Sequence, residues 1–321
     1  KVTCTGNARV YAFHNRLFYA DSSPVLPTTS LGTDYSVMTF DGGFSPSIVS
    51  IIATEDNTTI NVSPTAPTAF GNPGDTFTLT LNEGEVISIS ALQDLTGTRV
   101  TSDGPPIAVF GGQQTSFVDF TNCSADSHTW EQIIPIADWG NSYPIFPLDG
   151  NGGDLFRILA INDNTEVFDG CDLITTLNSG ELFEEFFEDP FILTSSDPVL
   201  ISAILPGQDC SGIDAGDPNM RLILALVRGS ADIRIRVNTP LQSDGVLDGE
   251  ELDVVHLVMP TDEVSNLTLN GATVGNWQPF DNLSSLSYVE VEIPEIDNLL
   301  EVISSTPFWS EFLSLKPNDA F

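Results

Sequence analysis

Basic residues are scarce in this chain. Its 321 residues carry 10 Lys and Arg against 45 Asp and Glu, a formal net charge of −35. Lysine occurs only at Lys1 and Lys316. A surface of that sign repels phosphate backbones, which excludes nucleic acid as a partner, and it disfavours anionic membranes. Long apolar runs are missing too. No stretch reaches the roughly 18 residues a spanning helix needs, so no membrane insertion is expected. Three histidines, His14, His128 and His256, stand far apart with no second histidine at ligand spacing, short of the three or four convergent ligands of a zinc site. His128 has Ser127, Asp126 and Glu131 beside it, but local adjacency on one loop rarely supplies the separated roles of a triad. Nucleophile elbow, HExxH, P-loop and dinucleotide fingerprint are all absent, and with them the common enzyme signatures. The chain reads as non-enzymatic.

Cysteine is sparse. Cys4, Cys123, Cys171 and Cys210 form no CxxC pair, which argues against zinc. Their even number suggests two disulfides in an oxidising compartment, with three connectivities open. The first residue is Lys1, with no initiator Met and no signal peptide, as in a processed protein or an excised fragment.

What is present is apolar content and repetition. Hydrophobic residues make up 41% of the chain, enough to build cores and to exclude general disorder. Three pieces recur in order. "SIIATEDNTTINVSP", "LNEGEVISIS" and "TRVTSDGPPIAVFGG" within 50–112 match "ILAINDNTEVFDG", "LNSGELFEEFF" and "FILTSSDPVLISAILPG" within 158–207. Asp56-Asn57-Thr58 and Asp163-Asn164-Thr165 are hairpin turns between apolar runs. "LPTTSLGTDYSVMTF" (26–40) parallels "IPIADWGNSYPIFPL" (134–148), and a weaker third copy spans 224–315. Alternation of Val, Ile, Thr and Phe dominates, and helical periodicity is nearly absent. The expected fold is all-β: three tandem antiparallel β-sandwich-like units at 1–118, 119–216 and 217–321, with a β-propeller as the alternative. Three units each touching only its neighbour would make an elongated body.

These motifs carry a resemblance. "SLGTDYSV", "ATEDNTTINVSP", "LNEGEV", "DLTGTRVTSDGPPIAVFGG" and "EQIIPIADWGNSYPIFPL", with "GDPNM" (216–220) and "LTLNG" (267–271), are similar to motifs of the IgGFc-binding protein N-terminal domain family. The match covers roughly 26–315. It implies an extracellular, secreted or surface-attached protein of a bacterial type, acting in binding or adhesion and not in catalysis. The extreme acidity and few cysteines depart from the animal members, so the immunoglobulin ligand in the family's name does not transfer.

Candidate sites remain. Calcium takes six to eight oxygen ligands, and three acidic loops offer carboxylates: Asp209, Asp214 and Asp217; Asp244, Asp248, Glu250 and Asp253; and the turns at Glu55, Asp56 and Asp163. None has the EF-hand spacing. Sequons at Asn57, Asn61, Asn122, Asn266 and Asn282 are glycosylation candidates. Trp130, Trp139, Trp277 and Trp309 could meet sugars, but each reads first as core. The leading function is adhesion to glycans or extracellular proteins. A subunit of a surface filament, pairing with copies of itself, is the alternative. A carbohydrate-active enzyme ranks last and would need two buried carboxylates facing each other in a cleft.

Overall fold

The structure is a computed structural model. It describes the chain except residues 1, 6–9, 17–18, 44, 119–124, 149–152, 208–216, 237–251, 294–298, 317–318 and 321. Strands fill most of the rest, with four short 3-10 turns as the only helical elements among the described residues. An opening hairpin, β1 (Val10–Arg16) and β2 (Tyr19–Val25), precedes three copies of one strand order. The first copy holds β3 (Asp34–Ser36), β4 (Ser47–Ala53), β5 (Thr58–Ser63), β6 (Phe77–Leu81), β7 (Val86–Ala91), β8 (Arg99–Ser102), β9 (Ile107–Ser116) and β10 (Ser127–Gln132). The second holds β11 (Gly140–Ile145), β12 (Asp154–Ala160), β13 (Thr165–Asp169), β14 (Asp172–Leu177), β15 (Leu182–Phe187), β16 (Phe191–Leu205) and β17 (Asn219–Ile223). The third holds β18 (Ser230–Arg236), β19 (Leu252–Pro260), β20 (Leu267–Leu269), β21 (Ala272–Thr273), β22 (Gln278–Pro279), β23 (Leu286–Ile293), β24 (Leu299–Lys316) and β25 (Asp319–Ala320).

The first copy is a sandwich. Sheet β10-β9-β4-β7 covers sheet β3-β8-β5-β6, and Val49, Ile51, Ile89 and Val109 of one meet Ile60, Val62, Val100 and Tyr35 of the other in one core. Alternation in "TTINVS" sends Thr58, Ile60 and Val62 inward, as a half-buried strand requires. In the second and third copies the last two strands fuse into one long strand. β16 bonds β11 and β13 with its first half and β12 and β17 with its second. β24 bonds β18 and β20, then β19. The fold is all-β and sandwich-like throughout.

Local chemistry repeats with the strands. Asn57, Asn164 and Asn270 hold the hairpin turns with φ of 57°, 59° and 51°, a left-handed conformation Asn tolerates. The turn carboxylates are occupied within the protein. Asp56 accepts the Glu83 N–H and Asp163 the Ser179 N–H, while Glu85 and Glu181 accept from Asn82 and Asn178. Buried Tyr35 accepts the Gly32 N–H at 2.8 Å and donates to the Ile107 carbonyl at 2.7 Å. Tyr143 does the same with Gly140 (2.8 Å) and Val199 (2.5 Å). Gly32 and Gly140 are needed where the next copy approaches, because a Cβ would lie 2.7 Å from Pro135 Cβ and 2.4 Å from Ala225 Cβ.

The copies are joined by strand exchange along the chain. β10 lies just before the second copy's 3-10 turn, yet it bonds β9 of the first copy, with Glu131 opposite Gly111. β17 bonds β16 in the same way, with Ile223 opposite Ile201. Counting back from the turn caps Pro27, Pro135 and Ala225, β2 occupies the corresponding place in front of the first copy. These three strands meet. Asp21 on β2 accepts the Trp130 N–H of β10 at 2.7 Å and the Asn219 amide of β17 at 2.5 Å. The expected elongated body is thereby overturned: the first and third joins touch, so the copies wrap around a shared centre.

Tyr143→Phe leaves a buried Gly N–H and a buried carbonyl short of a partner. Unfolding in urea is expected to show a loss of about 1–3 kcal/mol; an unchanged midpoint would show that the hydroxyl does not hold this corner.

Candidate functional site

The centre of the molecule is polar, and its charges bridge the copies. Arg157, in the middle of β12, is 2% exposed. Its guanidinium pairs with Asp94 at 2.5 Å and Glu184 at 2.7 Å, donates to the Thr39 carbonyl, and lies over the Phe40 ring at 5.2 Å. Asp94, Thr39 and Phe40 belong to the first copy, so one buried arginine fastens the second copy to the first. Burial pushes the Asp94 carboxyl up, but the Arg157 charge and hydrogen bonds from Thr39, Arg157 and Thr96 outweigh it and hold the carboxyl below the usual range. Ser50 and His256 occupy the matching positions of β4 and β19, each facing the neighbouring strand: Ser50 bonds Ser88, and His256 bonds Glu290 at 2.9 Å.

The second junction uses a longer network. Arg221 on β17 pairs with Asp154 of β12 at 2.6 Å and Glu311 of β24 at 3.0 Å, and donates to the Phe146 carbonyl at 3.2 Å. Glu311 also contacts His256 Nδ1 at 3.2 Å, and the His256 ring stacks on Phe146 with centroids 4.7 Å apart. Burial pushes His256 down, but Glu290 and Glu311 outweigh it and raise its pKa. Removing one member of such a buried set leaves an uncompensated charge, at a cost of about 3–5 kcal/mol.

At the meeting point of β2, β10 and β17 two carboxyls sit without a cationic partner among the described residues. Asp21 is 0% exposed and Glu131 5%. Burial pushes Asp21 well above the carboxylate range against hydrogen bonds from Trp130, Ser22 and Asn219. Burial raises Glu131 likewise, and the nearby Asp21 raises it further. This is the buried carboxyl pair that a glycosidase would need, but it lies inside a three-strand junction. Both Asp21 oxygens are already bonded to Trp130 and Asn219. It closes the fold and offers a sugar no approach.

Other candidates fall out as follows. Asp209, Asp214, Asp244, Asp248 and Glu250 lie outside the described residues, as do Asn122, Cys123 and Cys210. Asp217 and Asp253 are buried, and no group of three His, Cys, Asp or Glu suited to a metal occurs among the described residues. Cys4 is exposed, and Cys171 is an exposed free thiol on the β13–β14 turn, so the expectation of two disulfides using all four cysteines is not met at Cys171. Asn57 and Asn266 lie at turns on the surface and Asn61 on the outward face of β5, Asn61 bonded to Asp103 and Asn266 to Glu263. The Asn282 amide donates to Asp169 and the Ile192 carbonyl and accepts the Ile192 N–H, tying the third copy to the second. Trp139 and Trp309 are core, with indole N–H groups bonded to Ile134 and Leu224. Trp277 caps its own turn through Val274. Sequence distance hid one cluster. His14 and His128 approach to 5.7 Å, beside Trp130 stacked on Phe110. Burial and His14 lower His128 to about 4.

The family described as IgGFc binding protein matches residues 21–310, and the chain belongs to that family. The human IgGFc-binding protein is 25% identical over 290 residues, covering 87% of this chain and 5% of that protein. The chain thus spans a small fraction of that relative's length. No solved structure matches.

The buried pair sets a pH dependence. Both carboxyls hold their protons in the folded protein above the pH at which they ionise unfolded, so their contribution favours folding below about pH 4 and is lost as pH rises. Glu131→Gln is expected to match the wild type in thermal unfolding at pH 4 and exceed it by several degrees at pH 8. A deficit at pH 8 would mean that Glu131 is ionised and paired.

Proposed function

We propose that this chain is an extracellular binding module that adheres to glycans or proteins outside the cell, in a secreted or surface-attached protein. The observation that carries the reading is the family match across 21–310. The human relative's name states that it binds the Fc part of immunoglobulin G. The acidic composition supports an extracellular partner held by polar and cationic contacts, since a net charge of −35 steers basic surfaces inward and turns acidic ones away. No described helix is long and apolar enough to cross a membrane. Exposed apolar side chains at turn regions, such as Phe70 (50% exposed) stacked on Phe77 at 5.4 Å, supply contact points of the kind that anchor partners.

The test is surface plasmon resonance of the purified chain over immobilised extracellular glycans, matrix proteins and immunoglobulin Fc, with duplex DNA as a control. Saturable binding to a glycan or protein surface, weakening as salt rises, is expected. Absence of binding together with turnover of a glycoside substrate would replace the adhesion reading with the enzymatic one.

A further inference from the structure

The three copies differ at one backbone edge. In the first, the second half of the closing strand is bonded on both sides: Phe110 lies opposite Ser50 of β4 and Gln132 of β10. In the second, Ser202 lies opposite Arg157 of β12 and Leu222 of β17. In the third, Glu311 takes that place, opposite His256 of β19. Its other side carries no strand among the described residues, because β25 bonds only Leu315 and Lys316. Burial agrees. Ile201, Ser202, Ala203, Ile204 and Leu205 are all 1% exposed or less, whereas the corresponding Ser310, Glu311 and Phe312 remain partly exposed.

The front of the chain shows the complementary situation. β2 stands where β10 and β17 stand, but it bonds β1, with Val25 opposite Val10. Ile223 faces Ile201 at the corresponding point, and the Ile133 N–H donates to the Val109 carbonyl. An incomplete edge and a strand type that completes such edges therefore occur in one molecule.

We propose that the edge of β24 at Ser310–Leu313 accepts an extended peptide strand in antiparallel register, of the kind that opens a further unit of this same repeat. The register of the two filled junctions defines the occupant. An apolar residue faces Ser310, as Ile223 faces Ile201, and a short polar residue stands four positions earlier, where Thr129 and Asn219 lie. Ladder hydrogen bonds supply the affinity, and the alternating side chains supply the selectivity. Its own two junctions show that this body takes such strands. The inference is independent of which glycan or protein the outer surface holds.

The test is hydrogen–deuterium exchange of the full chain, alone and with a synthetic peptide of residues 217–225 as the probe. Alone, the amides of 310–313 that point away from β19 are expected to exchange at least ten times faster than the corresponding amides of 202–205. The peptide is expected to slow them about tenfold, while its Arg221→Pro form, which cannot complete the ladder, does not. Equal protection of 310–313 in the free chain would show that the edge is already covered, and the proposal falls. No protection by the peptide, equal protection by an unrelated β-forming peptide, or protection only at 202–205 would each overturn it as well.

Discussion

Backbone pairing between each copy's closing strand and the strand that introduces the next is the constraint on which the rest depends. A strand edge buried without partners costs free energy at every N–H and C=O. β9 and β16 lie deep in the molecule, so β10 and β17 must sit beside them. That requirement brings the copies together at close range. Gly32 and Gly140 permit the approach, and Arg157 and Arg221, themselves buried by it, are paired with Asp94, Glu184, Asp154 and Glu311.

The polar centre follows from the same packing. Three equivalent strands converging side by side leave their inward positions facing one another. At one level those positions are Asp21, Thr129 and Asn219, and two residues further on they are Ser23, Glu131 and Arg221. In the first set Asp21 and Asn219 bond one another, whereas three identical charges there would repel. The copies have diverged at the positions that meet, and stayed alike where each must fold alone, as the Tyr35 and Tyr143 corners and the three left-handed Asn turns show.

Local features were legible in the sequence. The Asp-Asn-Thr turns are readable because φ above zero restricts the choice of residue, and the alternating runs because one face of each strand is buried. The three copies were legible because their turn residues keep a fixed order. The shared centre was not. Asp21 and Asn219 are 198 positions apart, and nothing in either segment announces its partner. β10 and β17 border stretches that read as joins, because Asn, Asp and Gly surround them, yet their pairing is set by the open edge they find. His14 and His128 escaped for the same reason, and the sequon at Asn282 gives no sign that its amide serves a junction whose other half lies elsewhere.

Small-angle X-ray scattering of the monomer tests the wrapped arrangement most directly. Three copies around a common centre predict a radius of gyration near that of a compact 321-residue chain, about 20 Å. A value of about 30 Å, with a rod-like distance distribution, would mean that the copies lie in a line and that the Asp21–Asn219 contact does not form.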